Sequence, residues 1–345
     1  MRICLATYHS VMMLKGGPRT QILQMKRCLE ESGVEVSLFN SWAEIQKDEV
    51  DLIHLFGANL GTYHFAREVH KLAIPMVVTP IFFTRHSSPF VRSVVGLHGM
   101  IRTIARGTWT DYGLASEICS WARFVLPNTL REAELVQRGL GIPKDKIMII
   151  PNGVEKRFYD ADPTLFRKQY GIGDFVLNVG HIGPARKNIF RLICALEDVN
   201  VPAVIIGRIE QNEYGLRCLD RAKKNPRLTI LDAVPNESEF LASAYAACDV
   251  FALPSLFETP GIAALEAALG GAKIAITKYG GTEDYFGPHA EYLEPTSVEL
   301  IHHAIVTALN KQKNPSLREH VYGEFLWERV AEQTVQIYKR VLSEV

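Results

Sequence analysis

PSLFETPGIAALEAALGGAKIAITKYGG, residues 254–281, decides the fold. It follows the apolar run Val250 to Leu253, passes through a loop rich in turn residues, enters an Ala- and Leu-rich helical stretch, and reaches a second apolar run, Ile274 to Thr277. Strand, loop, helix and strand in that order make a βαβ unit, whose two strands lie parallel and whose ligands gather at the strands' carboxyl ends. Within it, Thr259 suits an N-cap, Pro260 the first helical position, and Gly261 a close approach of backbone to ligand. The N–H groups of Gly261, Ile262 and Ala263, with the helix dipole behind them, then form an anion site. Glu266 falls about 9 Å along that helix, within reach of ribose hydroxyls, while Glu258 stays on the loop for a sugar hydroxyl.

The same rhythm extends in both directions. Expected strands are Ile3 to Thr7, Glu35 to Phe39, Leu52 to Phe56, Met76 to Thr79, Phe124 to Leu126 and Ile147 to Ile150, then Phe175 to Val179, Ala203 to Ile206 and Leu228 to Leu231 ahead of the quoted unit. Helical-period segments separate them, as in Pro18 to Ser32, where Ile22, Met25 and Leu29 share a face. The fold class is therefore α/β, with two doubly wound, Rossmann-like domains. Turn residues cluster at Pro151-Asn152-Gly153 and on to Pro163. The expected division is 1–160, 161–320 and a C-terminal segment 321–345, with one long amphipathic helix running from Pro315 to the end.

Two other strand-to-helix connections carry chemistry. In FVLNVGHIGPARKN, residues 175–188, a strand opens through Gly180, His181 and Gly183 into Arg186-Lys187. Two cations at a helix start oppose the dipole, which points to an anion between them and a neighbouring helix terminus. After the first strand comes Lys15-Gly16-Gly17-Pro18, where backbone can face a ligand.

With 345 residues, length suits two domains of about 150 to 180 residues. The 38 basic and 38 acidic side chains cancel, which removes any charge argument for nucleic acid. The cancellation conceals a difference: residues 1–162 hold 19 basic and 16 acidic groups, and 163–345 hold 19 and 22. The six cysteines are scattered without a Cys-x-x-Cys pair, which fits neither a disulfide framework nor a zinc site and suits a reducing compartment. Nowhere do eighteen apolar residues follow one another, so a cytoplasmic protein, at most attached to one membrane face, is expected. Asp160-Ala161-Asp162 fits the metal-binding Asp-x-Asp pattern but lies in the interdomain stretch before Pro163, away from any strand end, and His302-His303 sits in a helix with no third ligand in view; no metal and no cofactor are expected.

From Val69 through Thr110 there is no acidic residue. Within that stretch, Phe90 to Trp109 mixes Val94, Val95, Leu97, Met100, Ile101 and Ile104 with Arg92, His98, Arg102 and Arg106. This composition suits an interfacial helix on anionic lipid, an approach path for a phosphorylated acceptor, or an ordinary amphipathic helix.

Glu258 and Glu266 with seven residues between them, Gly280-Gly281 after them, IPNGV (Ile150 to Val154), the basic pair ending in Lys187, the Gly16-Gly17 loop and FLWERVAEQ (Phe325 to Gln333) occur in an order that resembles the retaining GT-B glycosyltransferases of family four, across nearly the whole chain. The resemblance implies transfer of a sugar from a nucleoside diphosphate sugar to an acceptor hydroxyl, with retained anomeric configuration and no divalent metal. It implies an acceptor domain, a donor domain facing it across a cleft, and a C-terminal helix returning to the first domain. Glu258, Lys187 and Arg186 would be catalytic; Gly16, Gly17, His181, Gly261, Ile262, Ala263 and Glu266 would bind the donor. His181 stands where many relatives carry Arg, and Pro80 where many have a His, so Arg85 and His86 are the acceptor-side candidates. A glycan or lipid-linked acceptor in cell-surface assembly fits the family's range. A sugar-nucleotide epimerase of the same fold and a non-catalytic nucleotide-sugar binder are the alternatives.

Overall fold

The computed structural model describes residues 1–13, 16–44, 48–105 and 108–344. Two compact units divide it: Met1–Gly153 with Trp327–Val345, and Val154–Leu326. The seams thus lie at 153/154 and 326/327 rather than at the expected 160/161 and 320/321.

The first unit holds a parallel sheet of five strands, β1 (Arg2–Ala6), β2 (Glu35–Leu38), β3 (Leu52–Phe56), β4 (Met76–Thr79) and β5 (Phe124–Val125), in the order β2-β1-β3-β4-β5. The central strands are buried on both sides because their residues alternate between two apolar clusters: Ile3, Leu5, Leu52, Phe56 and Val77 on one face, Cys4, Ala6, Ile53, Leu55 and Val78 on the other. The expected strand Ile147 to Ile150 is reduced to a single bridge from Ile147 to Val125. Pro151 follows closely and cannot donate to a ladder.

The second unit holds six parallel strands, β6 (Val176–Val179), β7 (Ala203–Ile206), β8 (Leu228–Leu231), β9 (Val250–Leu253), β10 (Lys273–Thr277) and β11 (Ala290–Leu293), in the order β11-β10-β9-β6-β7-β8. Sequence reading missed β11, which pairs with β10 at Ile274↔Ala290; its sequence AEYL is too short and polar to stand out. Strand order reverses between β6 and β9, so the loops after these two strands splay apart and leave a crevice at their carboxyl ends.

The expected single C-terminal helix is two, Pro315–Glu324 and Trp327–Ser343. The break has a hydrogen-bonding cause: the Val154 N–H donates to the Phe325 carbonyl at 2.7 Å and Val154 bridges Leu326, so the two residues between the helices are tied to Val154 instead of continuing the helical turn. The second helix is built into the first unit. Trp327 is 1% exposed and covers Gly153 so closely that a Cβ there would lie 2.4 Å from the indole. Further along, the Tyr338 hydroxyl meets His54 Nδ1 at 2.6 Å, while His54 Nε2 meets Thr79 Oγ1 at 2.8 Å. Burial holds His54 down to about 3, so this bridge is between neutral groups. Trp327→Ala should lower the stability of the first unit by roughly 3–5 kcal/mol, read by urea unfolding with circular dichroism; a loss below about 1 kcal/mol would show that the helix contributes no core.

Candidate functional site

The crevice of the second unit is lined by the two loops that the sequence singled out. The loop after β6 runs through Gly180 and His181 to a short 3-10 turn, Ala185–Lys187, and the helix Ile189–Ala195 begins only after Asn188. Arg186 and Lys187 therefore precede the helix instead of opening it, which removes the conflict with its dipole. Asn188 makes the join. It adopts φ +58°, and its buried side-chain amide donates to the carbonyls of Pro254 at 2.9 Å and Pro295 at 2.7 Å, tying the loops after β6, β9 and β11 together.

The loop after β9 delivers Glu258, 6% exposed. Lys187 Nζ donates to Glu258 Oε1 at 2.7 Å and Arg186 approaches the same oxygen at 3.4 Å while donating to the Phe257 carbonyl at 3.0 Å. The backbone joins in, with the Leu256 N–H on the Arg186 carbonyl and the Glu258 N–H on the Tyr279 carbonyl. Burial pushes the Glu258 carboxyl up, but the Lys187 and Arg186 charges outweigh it and hold the group below its ordinary value. Glu258 is thus ionised, and both cations are fixed at the crevice.

The helix after this loop is Ile262–Leu269, with Gly261 as N-cap at φ +86° after a cis Thr259–Pro260 peptide. The expected start at Thr259 and Pro260 is replaced because the chain turns at Gly261, where a Cβ would lie 2.8 Å from Leu253. Ile262 and Ala263 then form the first turn, beside the Lys187 loop. Behind Glu258 stands Gly280, φ +107°, whose missing Cβ would fall 2.1 Å from the Glu258 carbonyl oxygen; no other residue fits.

Glu266 lies one turn into the helix and is buried, 4% exposed. Its Oε2 accepts from the Tyr245 hydroxyl at 2.7 Å. Burial pushes its carboxyl up to about 7, against the pull of that hydrogen bond and of Arg157. Two buried carboxyls on one βα connection therefore hold a proton with different strength: Glu258 has cations at contact distance and Glu266 has a phenol.

The first unit carries the remaining candidates, each described within that unit. Gly16 is the N-cap of the helix Gly17–Glu31, with open space where a Cβ would project; Lys15 lies outside the described residues. Arg85 and His86 are exposed on the loop after β4, and His86 Nδ1 meets the Tyr112 hydroxyl at 2.7 Å. That loop is anchored by Glu132, a residue the sequence reading passed over: its buried carboxylate accepts from the Phe82 N–H at 2.6 Å and the Asn128 N–H at 2.7 Å. Asn128 Oδ1 in turn accepts from Gln21 at 3.3 Å and from Asn152 of the Pro-Asn-Gly turn at 3.4 Å.

The helix Ser88–Ile104 keeps part of its expected cationic surface: Arg92 and Arg102 are exposed, the first with Nη1 3.5 Å from the Leu140 carbonyl and the second paired with Glu117, while His98 is buried and Arg106 lies outside the described residues. Exposed beside them are the apolar Phe90, Leu97, Met100 and Ile101. Residues three and four apart on a helix share a side, so these form one row. Asp162 of the set-aside Asp-x-Asp caps the helix Thr164–Tyr170 through the Thr164 N–H at 2.9 Å.

The family model described as "Glycosyl transferases group 1" matches residues 165–322, almost the whole second unit. An uncharacterized glycosyltransferase of Methanocaldococcus jannaschii is 26% identical over 57% of this chain and 55% of its own length. A D-inositol 3-phosphate glycosyltransferase of Geodermatophilus obscurus is 25% identical over 66% and 55%. The chain spans about half the length of these curated relatives. Solved structures match over the whole chain: sucrose-phosphate synthase from Thermosynechococcus elongatus (TM-score 0.75, 18% identity, 100% of both chains) and an Anabaena protein in complex with UDP and glucose (TM-score 0.71, 17% identity, 99% of this chain and 100% of that one). At such identities they establish the shared fold.

Lys187→Met leaves Glu258 buried with one distant cation and should cost roughly 1–3 kcal/mol at pH 7. Because the folded Glu258 carboxyl is depressed, its contribution is present above the ordinary carboxylate range and fades as the pH falls through the folded value. The gap between wild type and variant in urea unfolding should therefore narrow below about pH 4; a constant gap would contradict the ion pair.

Proposed function

We propose that this chain, whose residues 165–322 match the model of the glycosyl transferases group 1 family, is a GT-B-fold glycosyltransferase that moves a sugar from a nucleoside diphosphate sugar to an acceptor hydroxyl with retention of anomeric configuration. The observation that carries this reading is the meeting of Lys187, Arg186 and Glu258 at the sheet's switch point beside the first turn at Gly261. The name of the Geodermatophilus relative and the UDP and glucose bound by the Anabaena protein support a donor of this kind.

In this reading Lys187 and Arg186, with the N–H groups of Ile262 and Ala263, meet the negative charge that grows on the diphosphate as its bond to the sugar breaks. Fixed cations and dipoles supply that stabilisation without a divalent metal. Glu258, ionised and immobile, accepts from a donor-sugar hydroxyl and lies close enough to favour positive charge developing at the anomeric carbon. Glu266 accepts from the ribose. His181 borders the donor from the loop after β6; Gly16 and Gly17 are assigned to donor binding, and Arg85 and His86 to the acceptor. Lys187→Ala and Glu258→Gln should each lower kcat/KM on the order of 10²–10³, in a transfer assay with product anomer read by NMR. Activity abolished by chelator and restored only by divalent ions would refute the metal-free mechanism, and an inverted product would refute retention.

The acceptor we propose is a glycan or lipid-linked sugar in cell-surface assembly, reached from the cytoplasmic face of a membrane. Phe90, Leu97, Met100, Ile101 and Trp109 supply an apolar row, and the acid-free stretch from Val69 to Thr110 favours anionic lipid around it. Vesicles of anionic phospholipid should co-sediment the protein, and Leu97→Ser and Met100→Ser should each weaken binding about tenfold. Unaltered binding in both would sink the membrane proposal.

A further inference from the structure

Tyr245 has no counterpart in the roles assigned above, although its hydroxyl is committed to the donor side of the second unit. It lies on the helix Glu239–Ala247 between β8 and β9 and is fully buried. Phe158 meets its ring edge-on at 5.5 Å and Phe251 packs at 5.8 Å. On the backbone side, Gly270 approaches so closely that a Cβ there would lie 3.2 Å from the Tyr245 carbonyl carbon. A ring packed by two aromatic neighbours on a backbone that Gly270 closes in has its hydroxyl directed to Glu266, donating to Oε2 at 2.7 Å.

We propose that Tyr245 is a positioning residue for the donor site: it holds the Glu266 carboxylate in one orientation and in its ionised form, as an acceptor for ribose hydroxyls of a nucleoside diphosphate. The inference rests on the assignment of Glu266 to the ribose. A phenol donates to a carboxylate and has no reason to share its proton here, because burial and the Glu266 charge both push Tyr245 well above its ordinary value. A neutral Glu266 would have one acceptor oxygen fewer and a proton to place, so ribose recognition needs the charge. Burial works against that charge, and Tyr245 is the first of the groups opposing burial. The others come from different elements: Arg157 favours the ionised form, Glu155 disfavours it, and the Asn236 amide favours it. Arg157 is itself divided, donating to the Asn236 carbonyl and pairing with Glu155 at 3.4 Å. Tyr245 makes the larger of the two side-chain hydrogen-bond contributions to the carboxylate, ahead of Asn236.

Tyr245→Phe removes one oxygen from a packed ring and keeps the fold testable. In the wild type and the variant, the Glu266 carboxyl is titrated by carbon-13 NMR, and binding of UDP, GDP and ADP is measured by calorimetry from pH 6 to 9. The variant's Glu266 should titrate about one pH unit higher, and its affinity for the preferred nucleotide should fall about fivefold at pH 7, recovering towards pH 9. The same nucleotide in both proteins cancels ionisation of the diphosphate itself. Glu266→Gln should bind weakly without this pH dependence, and adding Tyr245→Phe to it should change nothing further. An unmoved Glu266 titration, or an affinity loss equal at every pH, overturns the positioning role. Wild-type affinity in Glu266→Gln overturns the ribose assignment instead, with the NMR titration still deciding whether Tyr245 governs the carboxylate.

Discussion

Three loops of the second unit meet on one carboxylate. Glu258 is out of water, and a bare charge there would be prohibitively expensive. Lys187 and Arg186 make it tolerable, and because they come from the loop after β6 while Glu258 comes from the loop after β9, the electrostatic requirement becomes a geometric one. The two loops flank the point where strand order reverses, and without a tie they would part. Asn188 repeats the tie with amide hydrogen bonds to Pro254 and Pro295, and Gly280 admits the Glu258 backbone from the β10 side. The crevice is thus shaped by the need to satisfy a buried anion.

The contrast with Glu266 comes from surroundings alone. Both residues are glutamates, both are nearly inaccessible, and both sit on one strand-to-helix connection. One faces an ammonium and a guanidinium; the other faces a phenol and half of an arginine's attention. Separation of this kind between paired acids is how a site at constant pH keeps one group charged under all conditions and another responsive. Glu132 in the first unit repeats the second pattern: burial raises it to about 7 while two backbone N–H groups hold it down, and its load is a loop.

Most of the strands and the loops that carry Lys187 and Glu258 are legible in sequence because parallel strands buried on both faces read as apolar runs, and Gly-containing connections mark the carboxyl edge. Glu258, Lys187 and Gly261 stand in those connections and were found there. Helix starts were less legible: Thr259 and Pro260 satisfy the local rules for an N-terminus, but the turn comes at Gly261, pressed against Leu253 at the end of the preceding strand, a contact no local rule contains. Asn188 gave a signal, an Asn before an apolar run, that was masked by the two cations preceding it. Tyr245 gave almost none, since a tyrosine in an Ala-rich helix looks like core until its hydroxyl is seen to reach Glu266. His98 on Ser88–Ile104 gave no signal of burial either: composition counts it with Arg102, and only tertiary contact with Thr110 takes it into the interior while Arg102 stays exposed beside Glu117.

The return of the chain at Trp327 has a consequence for how the molecule comes into being. Residues 154–326 are contiguous and form the second unit with its own two-sided core. The first unit lacks one wall of its core until Trp327, Val330, Tyr338 and Val341 arrive. On a ribosome, where domains usually fold in the order they emerge, the unit encoded first is therefore finished last: its sheet must wait, with one apolar face covered only in part by the helix Gly17–Glu31, through the synthesis and folding of the other.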